Sequence, residues 1–200
     1  VALADAYGQQ ASAADDAATL RDRLLTQAEE HAGYAVTLCP PLPEGHAFLA
    51  QFAAERARAA QRPAEYWERA VEHAQTALKY GANDPAALHA IAAEAYEALG
   101  NADDAARAYV RGAEWAPGRY EAWAAFYAFA EAHGRWEELL DALNGALRRV
   151  ERQGAPSKRS FATVSVWLAK VYAEGVDEPD LAREALERAV QRAPVYLDVW

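Results

Sequence analysis

Methionine is absent from this 200-residue chain, and cysteine occurs once, as Cys39. One cysteine excludes an internal disulfide and any metal site built from several thiolates. It also fits a reducing compartment, where thiols persist. No run of 18 apolar residues is present, so no segment has the length of a membrane-spanning helix. The first residues lack the basic stretch and apolar run of a secretory signal. Cationic residues are in short supply as well: 20 lysines and arginines stand against 30 acidic residues, for a net charge of −10. That balance argues against nucleic-acid phosphate as the main partner, because phosphate binding needs cations to displace counterions. A dense basic pair, Lys158-Arg159, falls in the polar stretch Gly154 to Ser160, which reads as a loop. The chain starts at Val1 without a methionine, and we expect it to be an excerpt of a longer protein.

Catalytic motifs are missing too. The sequence holds no G-x-x-x-x-G-K-[ST] and no G-x-G-x-x-G, so neither common phosphate-cradling loop is available. It holds no G-x-S-x-G nucleophile elbow. Its five histidines, His31, His46, His73, His89 and His133, are scattered, without an i, i+4 pair, and read as surface or half-buried residues rather than metal ligands. Cys39-Pro40 resembles the cysteine–proline motif of haem-responsive proteins, but a dipeptide without a shaped pocket assigns no haem. The acidic pairs Asp103-Asp104 and Glu137-Glu138 lie at turns and helix starts, where carboxylates complement the helix dipole. We therefore expect no catalytic residue, no cofactor and no metal.

What the chain does have is alanine, helical periodicity and repetition. Gly100 and Gly134 lie 34 residues apart, each at the turn of a helix–turn–helix pattern. In the first unit Tyr96 precedes the Gly100-Asn101 turn, Ala105, Tyr109 and Gly112 follow on one face, and Pro117 stops the second helix. In the next, Trp123 takes the aromatic position, Gly134-Arg135-Trp136-Glu137-Glu138 makes the turn, and the second helix runs to about Gln153. A further unit carries Leu168, Ala169 and Tyr172, a turn from Gly175 to Pro179 that is one residue longer than usual, then Ala182, Leu186, Ala189 and Pro194. Upstream, Trp67 and Ala70 mark a second helix whose partner spans about Gly45 to Ala60, with Phe48, Leu49 and Phe52 inward. Tyr7 and Asp15-Asp16-Ala17-Ala18 echo Tyr96 and Asp103-Asp104-Ala105-Ala106. The connector Cys39-Pro40-Pro41-Leu42-Pro43 reads as non-helical, since proline removes donors and clashes with the preceding turn.

These residues resemble the tetratricopeptide repeat family, in a bacterial-looking form. The resemblance is good over residues 84–150 and 160–200 and faint before 62. It departs from the family pattern at His89, Ala92 and Leu139, and the unit 120–153 lacks its closing proline. It implies one all-α array, a right-handed α–α superhelix (solenoid) of stacked antiparallel hairpins. The units are then 1–33 and 45–83, which are divergent, 84–119 and 120–153, which match well, 160–196, and the start of another at 197–200. One hairpin cannot bury its apolar face alone, so neighbours stack into a continuous core.

The family register also implies a groove lined by first helices. Its positions are Ala87, Ala90, Glu94 and Glu97, then Glu121, Ala124, Ala128 and Glu131, then Thr163, Val166, Lys170 and Glu174. Of these, Glu94, Glu97, Glu121, Ala128, Glu131, Lys170 and Glu174 are the candidate partner-binding residues. A groove ringed by glutamates suits a protein or peptide segment, a lysine- or arginine-bearing one by charge complementarity; the bland alternative is a solvated acidic face. The chaperone-binding members of the family clamp a terminal carboxylate with cations, and only Lys170 would fit that role. The expected function is a protein-interaction scaffold, not an enzyme, in the cytoplasm or, alternatively, periplasmic or membrane-tethered. A second resemblance, to half-tetratricopeptide scaffolds of RNA-associated complexes, rests on Trp123 to Glu131 and on Leu181 to Ala189 before Pro194. In a third reading the array is an appendage of an enzyme or envelope protein.

Overall fold

The computed structural model describes residues 2–13, 18–59, 64–153 and 158–194. Among them the regular structure is helical: α1 (Ala2–Ala13), α2 (Ala18–Leu38), α3 (Pro43–Ala59), α4 (Ala64–Lys79), α5 (Pro85–Ala98), α6 (Ala102–Trp115), α7 (Tyr120–His133), α8 (Trp136–Gln153), α9 (Lys158–Lys170) and α10 (Pro179–Arg192), with a π-helical turn over Val171–Gly175. The opening of a further unit at 197–200, the Asp15-Asp16-Ala17 echo and the start of the polar stretch at 154–157 lie outside the described residues.

The helix boundaries follow local chemistry. Asp84 caps α5 by accepting a hydrogen bond from the Ala87 amide at 3.1 Å, and Pro85 fills the first position, where its missing N–H costs nothing. Gly100 (φ 77°) and Gly134 (φ 67°) take the left-handed conformation that ends a helix, which a side chain would resist. Asn101 caps α6, receiving the Asp104 amide at 3.3 Å while its own amide donates back to the Asp104 carboxylate.

The structure differs from the sequence expectation at three boundaries. Pro43 is not in the connector; it opens α3, where the first turn needs no donor from it. Lys158, Arg159 and Ser160 are not loop but the first turn of α9, ahead of the buried run Phe161 to Ser165. The long turn after α9 is absorbed by widening. The Val176 amide reaches the Val171 carbonyl at 3.1 Å, five residues back, and Asp177 takes a left-handed φ of 57°.

The chain divides into two compact units, Val1–Ala105 and Ala106–Trp200. In the first, α1 packs on α2 and α3 on α4, while α2 meets α3 and α4 meets α5, so each hairpin covers the next. Buried Trp67, Ala70, Ala74 and Ala77 recur along α4 at the three- and four-residue spacing of one helix face. Ala53, Ala54 and Ala57 of α3 share a core cluster with Trp67 and Ala70, with small side chains allowing close approach. Leu49 and Phe52 join Ala4, Leu25 and Ala28 in a second cluster against which Tyr7 and Phe48 pack. Between α2, α3 and α4, Arg56 donates to Asp22 (3.0 Å), Thr26 (2.7 Å) and Glu29 (2.9 Å), and Arg69 reaches Glu29 at 2.6 Å.

The second unit is built on aromatics. Tyr109 of α6 stacks on Phe126 at 5.6 Å and meets Phe129 at 5.1 Å; Trp123, 1% exposed, sits one turn earlier on α7. Here α8 packs on α9, and α9 on α10. Arg188 and Arg192 of α10 both bind Glu151 of α8, at 2.6 and 2.8 Å.

A histidine pair that sequence spacing did not reveal joins α3 to α4. His46 and His73 place their Nδ1 atoms 3.1 Å apart, and His46 Nε2 lies 2.9 Å from the Pro40 carbonyl. The carbonyl only accepts, so His46 carries its proton on Nε2, and His73 Nδ1–H donates to His46 Nδ1. A second proton on the pair would set two N–H groups against each other. Burial first, then the charge of His46, lowers the His73 pKa from 6.5; Arg69 adds to this, while Glu72 and, from α2, Glu29 oppose it. A histidine held below its unfolded pKa contributes fully above that value, and its contribution is lost as pH falls through the window beneath it. The melting temperature of the intact chain should therefore fall as the pH drops below about 6.5, the ordinary histidine value, ahead of most carboxylates. Thermal melts of His73→Gln should show a flatter dependence, and an unchanged slope would remove His73 as its cause.

Candidate partner-binding surface

The seven candidate residues divide between the two units, and they differ in how they are engaged. In the first unit Glu94 and Glu97 lie on α5, both half-buried. Glu94 is taken up by Arg58 of α3, whose Nε donates at 2.6 Å and whose second nitrogen binds the other carboxylate oxygen. That hydrogen bond is the main reason the Arg58 pKa rises, with burial opposing it, and the guanidinium also lies 5.9 Å from the Trp67 ring centre. Both partners remain substantially exposed, so the pair adds at most about 1 kcal/mol. It does cancel the charge that the sequence assigned to this part of the surface. Glu97 likewise has an interaction of its own.

In the second unit Glu121, Ala128 and Glu131 are exposed along α7, at spacings of seven and three that keep them on one stripe. Among the described residues neither Glu121 nor Glu131 forms an ion pair. Lys170 and Glu174 are paired with each other, Nζ to carboxylate, at 3.8 Å. Lys170 also lies 4.4 Å from the Tyr127 ring centre and 5.3 Å from that of Trp167, within cation–π range. The Tyr127 hydroxyl donates to Glu174 at 2.9 Å. Burial, then that hydrogen bond, then the charges of Glu174 and Glu131 push the Tyr127 pKa up to about 12. The phenol thus stays protonated and donating throughout the neutral range. Trp136 meets Tyr127 edge-on at 5.2 Å, and Trp167 lies 5.6 Å from it, so the hydroxyl is aimed by rings on both sides.

Of the remaining register positions, Ala90 is exposed, and Ala87, Ala124 and Val166 are half-buried. Thr163 departs from its expected place: at 3% exposure it belongs to the interior of α9, in the run Phe161 to Ser165 that is buried on all sides. Among the described residues no group of three or more histidine, cysteine, aspartate or glutamate side chains could hold a metal ion. Among the same residues no helix is long and apolar enough to cross a membrane. Cys39 is exposed at the end of α2.

No family model matches the chain, and no curated protein matches it. Among solved structures it is similar to the crystal structure of MamA, a tetratricopeptide-repeat protein, over 86% of this chain and 90% of that one, with a TM-score of 0.52 and 12% identity. The fold is tetratricopeptide-like. At that identity the likeness speaks for the architecture, an all-α succession of helix hairpins of the solenoid class; of the positions that carried the resemblance, Ala105, Tyr109, Trp123, Ala182 and Ala189 are buried, whereas Leu186 is exposed.

Proposed function

We propose that this chain is a protein-interaction scaffold that receives a lysine- or arginine-bearing partner segment along the first helices of its hairpins. The observation that carries the reading is the α7 edge, where Glu121 and Glu131 are exposed and, among the described residues, without an ion pair. Fixed carboxylates on a rigid helix raise the local concentration of cationic groups and speed their association. Glu94 and Glu174 play a second part in this reading. Each is held by an internal cation, Arg58 or Lys170, which an incoming basic side chain would have to displace or bypass. Ala128, between Glu121 and Glu131, leaves room for the partner's backbone. The tetratricopeptide-like fold supports a scaffold of this kind.

Glu121→Lys combined with Glu131→Lys should weaken a captured basic partner by about tenfold or more at low salt, and by less at high salt, where exposed charges are screened. Circular dichroism should show the helix content retained, because neither side chain is core. The check is a titration of the partner recovered from native lysate at two salt concentrations. Unchanged affinity in the folded double variant would move the interface off this edge.

A further inference from the structure

The second unit has another surface of opposite character, at the turn between α6 and α7. Three tryptophans of this chain are buried, Trp67, Trp123 and Trp167, at 5%, 1% and 4% exposure, whereas Trp115 is 63% exposed. It borders an open cleft of about 510 Å³ that also takes in Pro117, Arg119 and, from the first turn of α9, Arg159 and Ser160. The two segments come close at Gly118, where a Cβ would fall 2.7 Å from the Ser160 hydroxyl oxygen and 3.5 Å from its Cα. Trp123 Nε1 holds the same turn in place by donating to the Pro117 carbonyl at 2.9 Å. Both arginines are exposed, and Lys158 precedes Arg159 on the surface. Arg119 supplies no side-chain cap hydrogen bond to α7 and has an interaction of its own. Within a chain of net charge −10, this is a cationic, aromatic recess with Glu121 as the carboxylate on its rim.

The geometry points to a docking site for an acidic peptide segment, with an apolar or aromatic side chain lying on Trp115 and a carboxylate meeting Arg159. Guanidinium groups pair with carboxylates through parallel N–H donors, and an exposed indole offers a large flat face at little entropic cost. A single-stranded nucleic acid could use the same two kinds of contact. The overall negative charge of the chain disfavours a polyanion that must approach the whole surface, and a short acidic segment avoids that repulsion. This site adjoins the proposed basic-partner edge and shares Glu121 with it, so one substitution distinguishes them. Glu121→Lys weakens a basic partner on α7 and tightens an acidic one in the cleft.

The test uses the intact, nitrogen-15-labelled chain and a short synthetic peptide with glutamates on both sides of one phenylalanine. The Trp115 indole N–H signal, identified by its loss in Trp115→Phe, should shift saturably with the peptide and less so as salt rises. Arg159→Glu should lower the affinity by about tenfold, and Glu121→Lys should raise it. Arg159→Glu places a carboxylate in the first turn of α9, which the helix dipole favours, so the fold is retained and the remaining signals confirm it. Three outcomes would overturn the assignment. They are equal binding by the glutamine version of the peptide, unchanged affinity in Arg159→Glu, and a stronger response of Trp115 to an oligothymidylate than to the peptide.

Discussion

Trp123→Ala is expected to destabilise the second unit by about 3–5 kcal/mol, the largest effect of any single substitution considered for this chain. The indole is 1% exposed, one turn before the fully buried Phe126 and Phe129, and those rings pack on Tyr109. Removing it opens a cavity that these rigid neighbours fill only in part. It also strands the Pro117 carbonyl, which accepts the indole N–H and shapes the turn into α7. Trp123→Phe keeps most of the volume but not the donor, so it should lie well short of the alanine variant. Urea unfolding with circular dichroism is the measurement, analysed for more than one transition, because stacked repeats need not unfold together. A midpoint for Trp123→Ala within error of the parent would mean that the α6–α7 interface is not closed around this side chain.

Gly175→Ala should cost about 1–3 kcal/mol, although it adds one methyl group to a partly exposed position. The added Cβ would lie 2.8 Å from Cε3 of Trp136, 3.0 Å from Cδ2 and 3.1 Å from Cζ3, on the ring itself rather than at the end of a flexible chain. Trp136 cannot yield easily, because it is packed edge-on against Tyr127 at 5.2 Å. Relief therefore requires the π-helical turn to shift. That turn carries Glu174, which accepts the Tyr127 hydroxyl and pairs with Lys170. The variant should lose stability and disturb the Tyr127–Glu174–Lys170 cluster together, read as a lower urea midpoint and a downward movement of the Tyr127 titration from about 12. Loss of the Glu174 hydrogen bond removes one of the effects that raise the phenol, which fixes the direction. An unaltered midpoint and titration would show that the turn accommodates a methyl group without moving.

The helices themselves were legible in the sequence because their signals are local. Asp84-Pro85 announces a start, Gly100 and Gly134 announce stops, and the alanine faces of α4 and α10 show the 3.6-residue period. The 34-residue spacing identified the hairpin as the repeating element, since a turn chemistry that recurs at a fixed interval needs no long-range information. Proline misled at Pro43 and Pro179, which open α3 and α10 rather than lying in the connecting turns, because its meaning depends on which helix position it occupies. What the sequence could not determine was which charges remain available. Glu94 and Glu174 look like open carboxylates on their own helices, but Arg58 comes from a helix 36 residues earlier, and Tyr127 from one 47 residues earlier. His46 and His73, 27 residues apart, meet only because α3 lies on α4. The cationic recess at Trp115 likewise needs Arg159 brought up to the α6–α7 turn, through a contact that Gly118 permits. Helix formation and capping are decided within a few residues of the chain, whereas the neutralisation of a charge or the building of a cleft depends on side chains that only packing brings together.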